Sequence, residues 1–140
     1  MKTEIKASPL REKSFDLAIR IVRLNQFLTS QKSEYVISKQ ILRSGTNPGA
    51  MVREANNAES GLDFIHKLAI AQKELGETQY WLELLFKTDF INEIEFESIY
   101  LDISEVMKMI RSSIITKKKN LALKTIPILL IIGLTIQFLL

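Results

Sequence analysis

The sequence predicts an all-α chain: an antiparallel up-down four-helix bundle with an apolar C-terminal tail helix. Three observations predict it. Gly (5) and Pro (3) are few in 140 residues, and a β-rich fold with many tight turns needs more of both. Lys, Glu, Leu and Ile dominate, which favours helix. Phe64, Leu68, Ala71, Leu75, Thr78, Leu82 and Leu85 follow one another in 4-3-4-3-4-3 spacing, a heptad seam suited to left-handed bundle packing. Hydrophobic residues make up 46% of the chain and charged residues 25%, enough apolar side chain for one core. The expected organisation is an N-terminal segment over 1–9, the bundle over 10–118 and the apolar tail over 119–140.

The first helix is expected from about Leu10 to Thr29. Ser8 is a good N-cap and Pro9 suits the first turn. Its apolar residues Phe15, Leu17, Ala18, Ile19, Ile21, Val22, Leu24, Phe27 and Leu28 form a stripe wider than a lone helix pair needs. Ser30 to Ser33 is a short polar connection. The second helix starts after Ser33 and carries Val36, Ile37, Ile41 and Leu42. Ser44-Gly-Thr-Asn-Pro-Gly49 is a break by propensity, yet Ala50 to Ala55 resumes helix-favouring chemistry. One long helix kinked near Pro48 and ending around Asn56 is expected, with two helices joined by a turn as the alternative.

Ser60 and Asp63 read as a capping box that opens the third helix. Ala69 and Gly76 lie near its seam, where another helix could approach closely. Thr88-Asp89 breaks the pattern, and Asn92 with Glu95 reads as a second cap. The fourth helix carries Ile94, Ile99, Leu101, Ile103, Val106, Met107, Ile110 and Ile114. Lys117-Lys-Lys119 sits near its expected C-terminus, where positive charge complements the helix dipole. The short connections imply antiparallel neighbours.

Charge is distributed unevenly under a formal net of +3. Residues 1–53 hold ten basic and four acidic side chains, residues 54–105 three and twelve, and residues 106–140 six and none. Such blocks attract each other on folding, attract copies of the chain, or attract an external polyanion, although most charges on helix faces are simply solvated.

Chemistry-bearing patterns are scarce. Cys is absent, so disulfides and thiol chemistry are excluded. His66 is the single histidine. Glu74 and Glu77 share a helix face, but neither belongs to the Glu-x-x-His pattern of a di-metal bundle. They are expected to pair with Arg or Lys of a neighbouring helix or subunit. The Gly45 to Gly49 segment lacks the Lys and the strand of a phosphate-binding loop, and no nucleophile elbow occurs. No enzyme activity, metal, cofactor or small-molecule substrate is expected. Arg20, Arg23, Lys39, Arg43 and Arg53 are the candidates for tracking nucleic-acid phosphates. Tyr35, Tyr80 and Trp81 could stack bases, but helical spacing favours core or interface positions, and Tyr80 and Trp81 join Glu74 and Glu77 as interface candidates.

Thr125 to Leu140 is sixteen residues without a charge. At about 1.5 Å per residue it is slightly short of a bilayer core of about 30 Å. Including Leu121 to Lys124, with the lysine snorkelling, makes a marginal span. The preceding lysines would favour a cytoplasmic bundle. The expectation is a cytoplasmic protein, with tethering to the inner membrane as the alternative. The other readings of the tail are an apolar segment packed on the bundle or within an oligomer, or a chain end altered by a shifted stop codon.

Lys13-Ser-Phe-Asp-Leu-Ala-Ile-Arg-Ile-Val22, Ser38-Lys-Gln-Ile-Leu-Arg-Ser-Gly45, Gly49-Ala50, Arg53-Glu-Ala55, Asp63-Phe-Ile-His-Lys-Leu-Ala69, Lys73-Glu74, Glu77-Thr78 and Tyr80-Trp-Leu82 together resemble the bacterial four-helix-bundle family with members encoded in intervening sequences of 23S ribosomal RNA genes. The resemblance covers roughly residues 8–118. It implies an up-down bundle assembled as a ring, typically a homopentamer, with no enzymatic activity. A related branch, the accessory protein of diversity-generating retroelements, binds nucleic acid, which makes RNA or DNA a possible partner. Two features depart from the family pattern: Asn47-Pro48 replaces a β-branched or small pair, and the tail from Leu121 is additional.

Overall fold

The computed structural model describes residues 8–140, so most of the segment expected at 1–9 lies outside the described residues. Those residues form four helices and no strand: α1 (Pro9–Gln31), α2 (Ile37–Asn56), α3 (Gly61–Lys87) and α4 (Glu93–Leu139). Residues 32–36, 57–60 and 88–92 connect them. Each helix packs against the next, and α1 also touches α4.

Helix α1 begins as the sequence suggests. Ser8 is extended and Pro9 occupies the first turn, but the Ser8 hydroxyl makes no capping bond. Its carbonyl instead accepts from the Glu12 N–H at 3.0 Å. Leu10, Ser14, Leu17, Ile21, Leu24 and Leu28 form the buried face. The helix ends at Gln31; Ser33, two residues on, takes a left-handed φ of 51°, and the Glu34 N–H returns to the Leu28 carbonyl at 2.9 Å.

Glu34 then opens α2. Its Oε1 accepts from the N–H groups of Val36 (3.0 Å) and Ile37 (2.8 Å), and its Oε2 from that of Ser38 (2.6 Å). The residue is buried. A carboxylate here satisfies N–H groups that have no partner within the helix. Burial raises the Glu34 pKa, but the N–H groups of Ile37, Ser38 and Val36 and the Ser38 side chain lower it by more, leaving it below the ordinary value. A carboxyl so shifted stabilises the fold above its unfolded-state pKa, and that contribution is lost as the pH falls through the lowered value. Glu34→Gln is expected to cost about 1–2 kcal/mol at neutral pH and to flatten the acid limb of the stability profile. Urea titrations of both proteins at neutral and acidic pH measure the two effects. Equal acid losses in both would remove Glu34 as their source.

Helix α2 runs unbroken through Pro48, which settles the choice between one helix and two. The breakers survive because α1 packs directly on them. Gly45 and Pro48 are buried. A Cβ on Gly45 would lie 2.8 Å from Ile21 Cγ1, and one on Gly49 would lie 3.3 Å from the Ser14 carbonyl oxygen. Further along, the Asn25 amide donates to the Ser38 carbonyl at 3.0 Å. The close helix approach expected at Ala69 and Gly76 thus occurs on α2. Ala69 is exposed, and nothing lies within 4 Å of a Cβ on Gly76.

Helix α3 starts where the Ser60 hydroxyl accepts from the Asp63 N–H at 3.1 Å. Of its seam, Leu68, Ala71, Leu75, Thr78, Leu82 and Leu85 are buried, and Phe64 packs on the margin of the core. The Thr78 hydroxyl lies 3.0 Å from that of Ser44 on α2 and 2.8 Å from the Glu74 carbonyl, so the one polar seam residue is satisfied inside the core. Asp89, with φ 65°, ends the helix.

The Asn92–Glu95 capping box opens α4. Ile99, Ile103, Val106, Ile110 and Ile114 are its buried face, and Phe96 stacks on Phe86 with ring centroids 4.7 Å apart. Ile94 and Leu101, counted among its apolar residues in the sequence, are 80% and 68% exposed and lie outside the core. The helix does not stop at Lys117–Lys119. It continues to Leu139. Leu121 is the last residue held against the bundle, with Cδ2 2.7 Å from a Cβ placed on Gly61. Residues 122–140 are exposed throughout.

Candidate functional site

Two polar clusters join the helices, and the sequence-selected residues divide between them. On the α2–α3 side, Arg43 Nη1 donates to Glu74 Oε2 at 3.2 Å and Nη2 to Glu77 Oε1. The Trp81 indole N–H donates to the same Glu77 oxygen at 3.0 Å. Tyr80 meets the Trp81 ring edge-on, with centroids 4.8 Å apart. The spacing of 74, 77 and 81 places these side chains on one face of α3, which is why one arginine and one indole reach the same carboxylate. Half the Arg43 side chain is exposed, so the ion pairs themselves contribute little stability. Their effect is to fix Trp81 beside the exposed Tyr80.

On the α1–α4 side, Arg20 Nη1 donates to Asp102 Oδ2 at 2.6 Å and to the Ser98 carbonyl at 3.2 Å, and Nη2 donates to Ser98 Oγ at 2.7 Å. Lys13 pairs with Glu105 at 3.3 Å. These contacts rim a cleft between α1 and α4 lined by Lys13, Asp16, Leu17, Asp102, Glu105 and Val106. A third link, Lys67 to Glu54 at 3.4 Å, joins α3 to α2.

The five basic candidates therefore do not form one patch. Arg20 is engaged by α4 and Arg43 by α3. The Arg53 guanidinium lies 5.0 Å from the Phe15 ring centroid, a cation–π contact across α1 and α2. Arg23 and Lys39 are exposed, and neither has an ion-pair partner among the described residues. The interface candidates Glu74, Glu77, Tyr80 and Trp81 do come together. The basic partner expected for Glu74 and Glu77 is Arg43 of α2, itself a phosphate candidate, because a sequence does not show which faces of two helices meet.

One surface feature was visible only as excess width of the α1 stripe. Phe15, Ile19 and Val22 are 49%, 36% and 38% exposed. Their i, i+4, i+7 spacing aligns them on the side of α1 turned away from Leu17, Ile21 and Leu24. Among the described residues no group of three or more His, Cys, Asp or Glu is placed to hold a metal ion.

Four helices tied by inter-helix ion pairs around one aliphatic core define a four-helix protein of the helical-bundle class. The chain belongs to the 23S rRNA-intervening sequence protein family, whose sequence model matches residues 7–112. A solved structure from Bacteroides thetaiotaomicron, a protein with unknown function from the S23 ribosomal protein family, is similar at 51% identity and a TM-score of 0.74. The similarity covers 75% of this chain and 97% of that one. No curated protein matches the chain. Residues beyond 112 lie outside the family match.

Proposed function

We propose that this chain is a non-enzymatic, self-assembling scaffold or adaptor: an antiparallel up-down bundle whose copies join into a cytoplasmic ring, a homopentamer by family resemblance. The carrying observation is the outward apolar row Phe15, Ile19 and Val22 on α1. A row of three large side chains on the face opposite the core is what a subunit contact requires and a solvated helix face does not. The antiparallel reading is supported by paired contacts. Ser14 meets Gly49 and Ile21 meets Gly45. Ser44 meets Thr78 and Glu54 meets Lys67, while Lys13 meets Glu105 and Arg20 meets Asp102. In every pair the numbers rise along one helix as they fall along the other. Membership of the 23S rRNA-intervening sequence family supports the ring.

Light scattering of the full chain in mild detergent tests the assembly. The wild type is expected to give a multiple of the 16.1 kDa protomer, and Ile19→Glu to give the protomer with unchanged helix content. A monomeric wild type would overturn the reading, and an Ile19→Glu variant that still assembled would place the contact elsewhere. Binding of RNA or DNA, with Arg23 and Lys39 rather than all five basic candidates as the phosphate contacts, is the second reading. The exposed cations of Arg23 and Lys39, on adjacent helices, are the observation that favours it.

A further inference from the structure

Beyond the bundle, α4 continues as an isolated rod with an unusual surface. Leu129, Leu130, Ile131 and Ile132 are 66%, 62%, 62% and 48% exposed. Four consecutive helical positions sweep most of the circumference, so the rod is apolar and uncovered on every side. Its most apolar 18-residue window has a mean hydropathy of 2.0 and no buried residue. A partner helix, or a second copy of this rod, would cover one stripe and leave the others wet. Liquid hydrocarbon covers all of them.

Two of the rod's polar side chains, Thr125 and Thr135, are arranged for such a medium, and Gln137 lies in its last turn. Thr125 Oγ1 lies 2.8 Å from the Ala122 carbonyl, and Thr135 Oγ1 lies 2.8 Å from the Ile131 carbonyl. Both hydroxyls are thus satisfied within the helix, as a non-aqueous surrounding demands. Pro127 and Gly133 are tolerated in membrane helices more readily than in soluble ones. At the base stand Lys117, Lys118 and Lys119, which fan around the helix in 100° steps, with Lys124 further along. Lys117 Nζ is drawn over the Phe64 ring at 5.2 Å. No acidic residue follows Glu105.

We propose that residues 122–139 span a lipid bilayer containing anionic headgroups, and that Lys117, Lys118, Lys119 and Lys124 form a collar at the headgroup level. The helical segment past Leu121 is about 27 Å long, against a hydrocarbon core of about 30 Å. Lys124 reaches the interface by extending its aliphatic stem back toward the bundle. The lysine excess beside the span places the bundle on the cytoplasmic face. This inference concerns α4 beyond the family match and holds whether or not the α1 row joins subunits.

Flotation of the full chain with phosphatidylcholine–phosphatidylglycerol vesicles tests it. The wild type is expected to float and to remain bound in high salt and alkaline carbonate. Ile131→Arg, a charge at the middle of the span, is expected to weaken partitioning about a hundredfold, with the bundle's helix content retained. A full chain that stays in solution without detergent and does not float would overturn the proposal. So would flotation abolished by salt, which is adsorption through the lysines alone. Depth is read with Ile131→Trp and Phe138→Trp, each in a Trp81→Phe background, using lipids brominated at defined depths. Residue 131 should be quenched most by bromines near the bilayer centre and residue 138 by shallow ones. Shallow quenching at both positions would mean a helix lying in the interface and would overturn the span.

Discussion

Leu75→Ala is expected to destabilise the bundle by about 2–5 kcal/mol. Leu75 is fully buried at the middle of the α3 seam, between Ala71 and Thr78. Truncation removes apolar contact and leaves a cavity that four helices joined by short connections cannot readily close. The same truncation at Leu101, 68% exposed on α4, is expected to stay within about 0.5 kcal/mol of wild type. Chemical denaturation of the two variants side by side measures the contrast. Similar losses would mean that Leu101 is covered in the assembled protein, and so would extend the subunit contact to α4.

The second large effect is expected where α1 and α2 are closest. Gly45→Ala would ordinarily gain up to about 1 kcal/mol in a helix interior. Here the new methyl would stand 2.8 Å and 2.9 Å from Ile21 Cγ1 and Cγ2. Both are bonded directly to the Cβ of a β-branched side chain that has no exposed surface, so Ile21 cannot turn away without pushing α1 and α2 apart. Overpacking of this kind costs about 1–3 kcal/mol, and a net loss is expected. Removing the obstacle should reverse the sign: in an Ile21→Ala background, Gly45→Ala is expected to stabilise. A double-mutant cycle by thermal or urea unfolding reads this coupling directly. An additive cycle would mean that the two helices accommodate the methyl by a small shift.

Much of this fold is legible in the sequence, for local reasons. Ser60 and Asn92 cap within one helical turn, so spacing alone identifies them; the reciprocal half of the box forms at Glu95, whereas the Asp63 carboxylate accepts from the Glu59 N–H instead. The α3 seam is legible because a heptad constrains which residues face inward, and Leu68 to Leu85 face inward as it requires. Non-local features are harder to see. Glu34 escapes the usual capping pattern because it is neither a short polar side chain nor directly before the helix. Gly45 and Pro48 look like breakers until α1 is laid across them. The lysines at 117–119 resemble a helix end, but lysine propagates a helix well, and nothing after them is a strong breaker until Pro127. The basic residues divided for the same reason. Charge can be counted along a chain, whereas the partner of Arg20 or Arg43 depends on how the helices are rotated about their axes.

Helix α4 has a mechanical consequence. Its 47 residues form one uninterrupted helix, with no loop or glycine pair between the part held by the bundle and the part that leaves it. A flexible linker would let the bundle tumble independently of whatever holds the rod. A stiff shaft does not. With the pivot at Leu121, a tilt of about 10° swings the Glu93 end through about 7 Å, since the intervening helix is about 42 Å long. The orientation of the rod therefore sets the attitude of the whole bundle, and a torque applied at either end reaches the other through the aliphatic seam between α3 and α4.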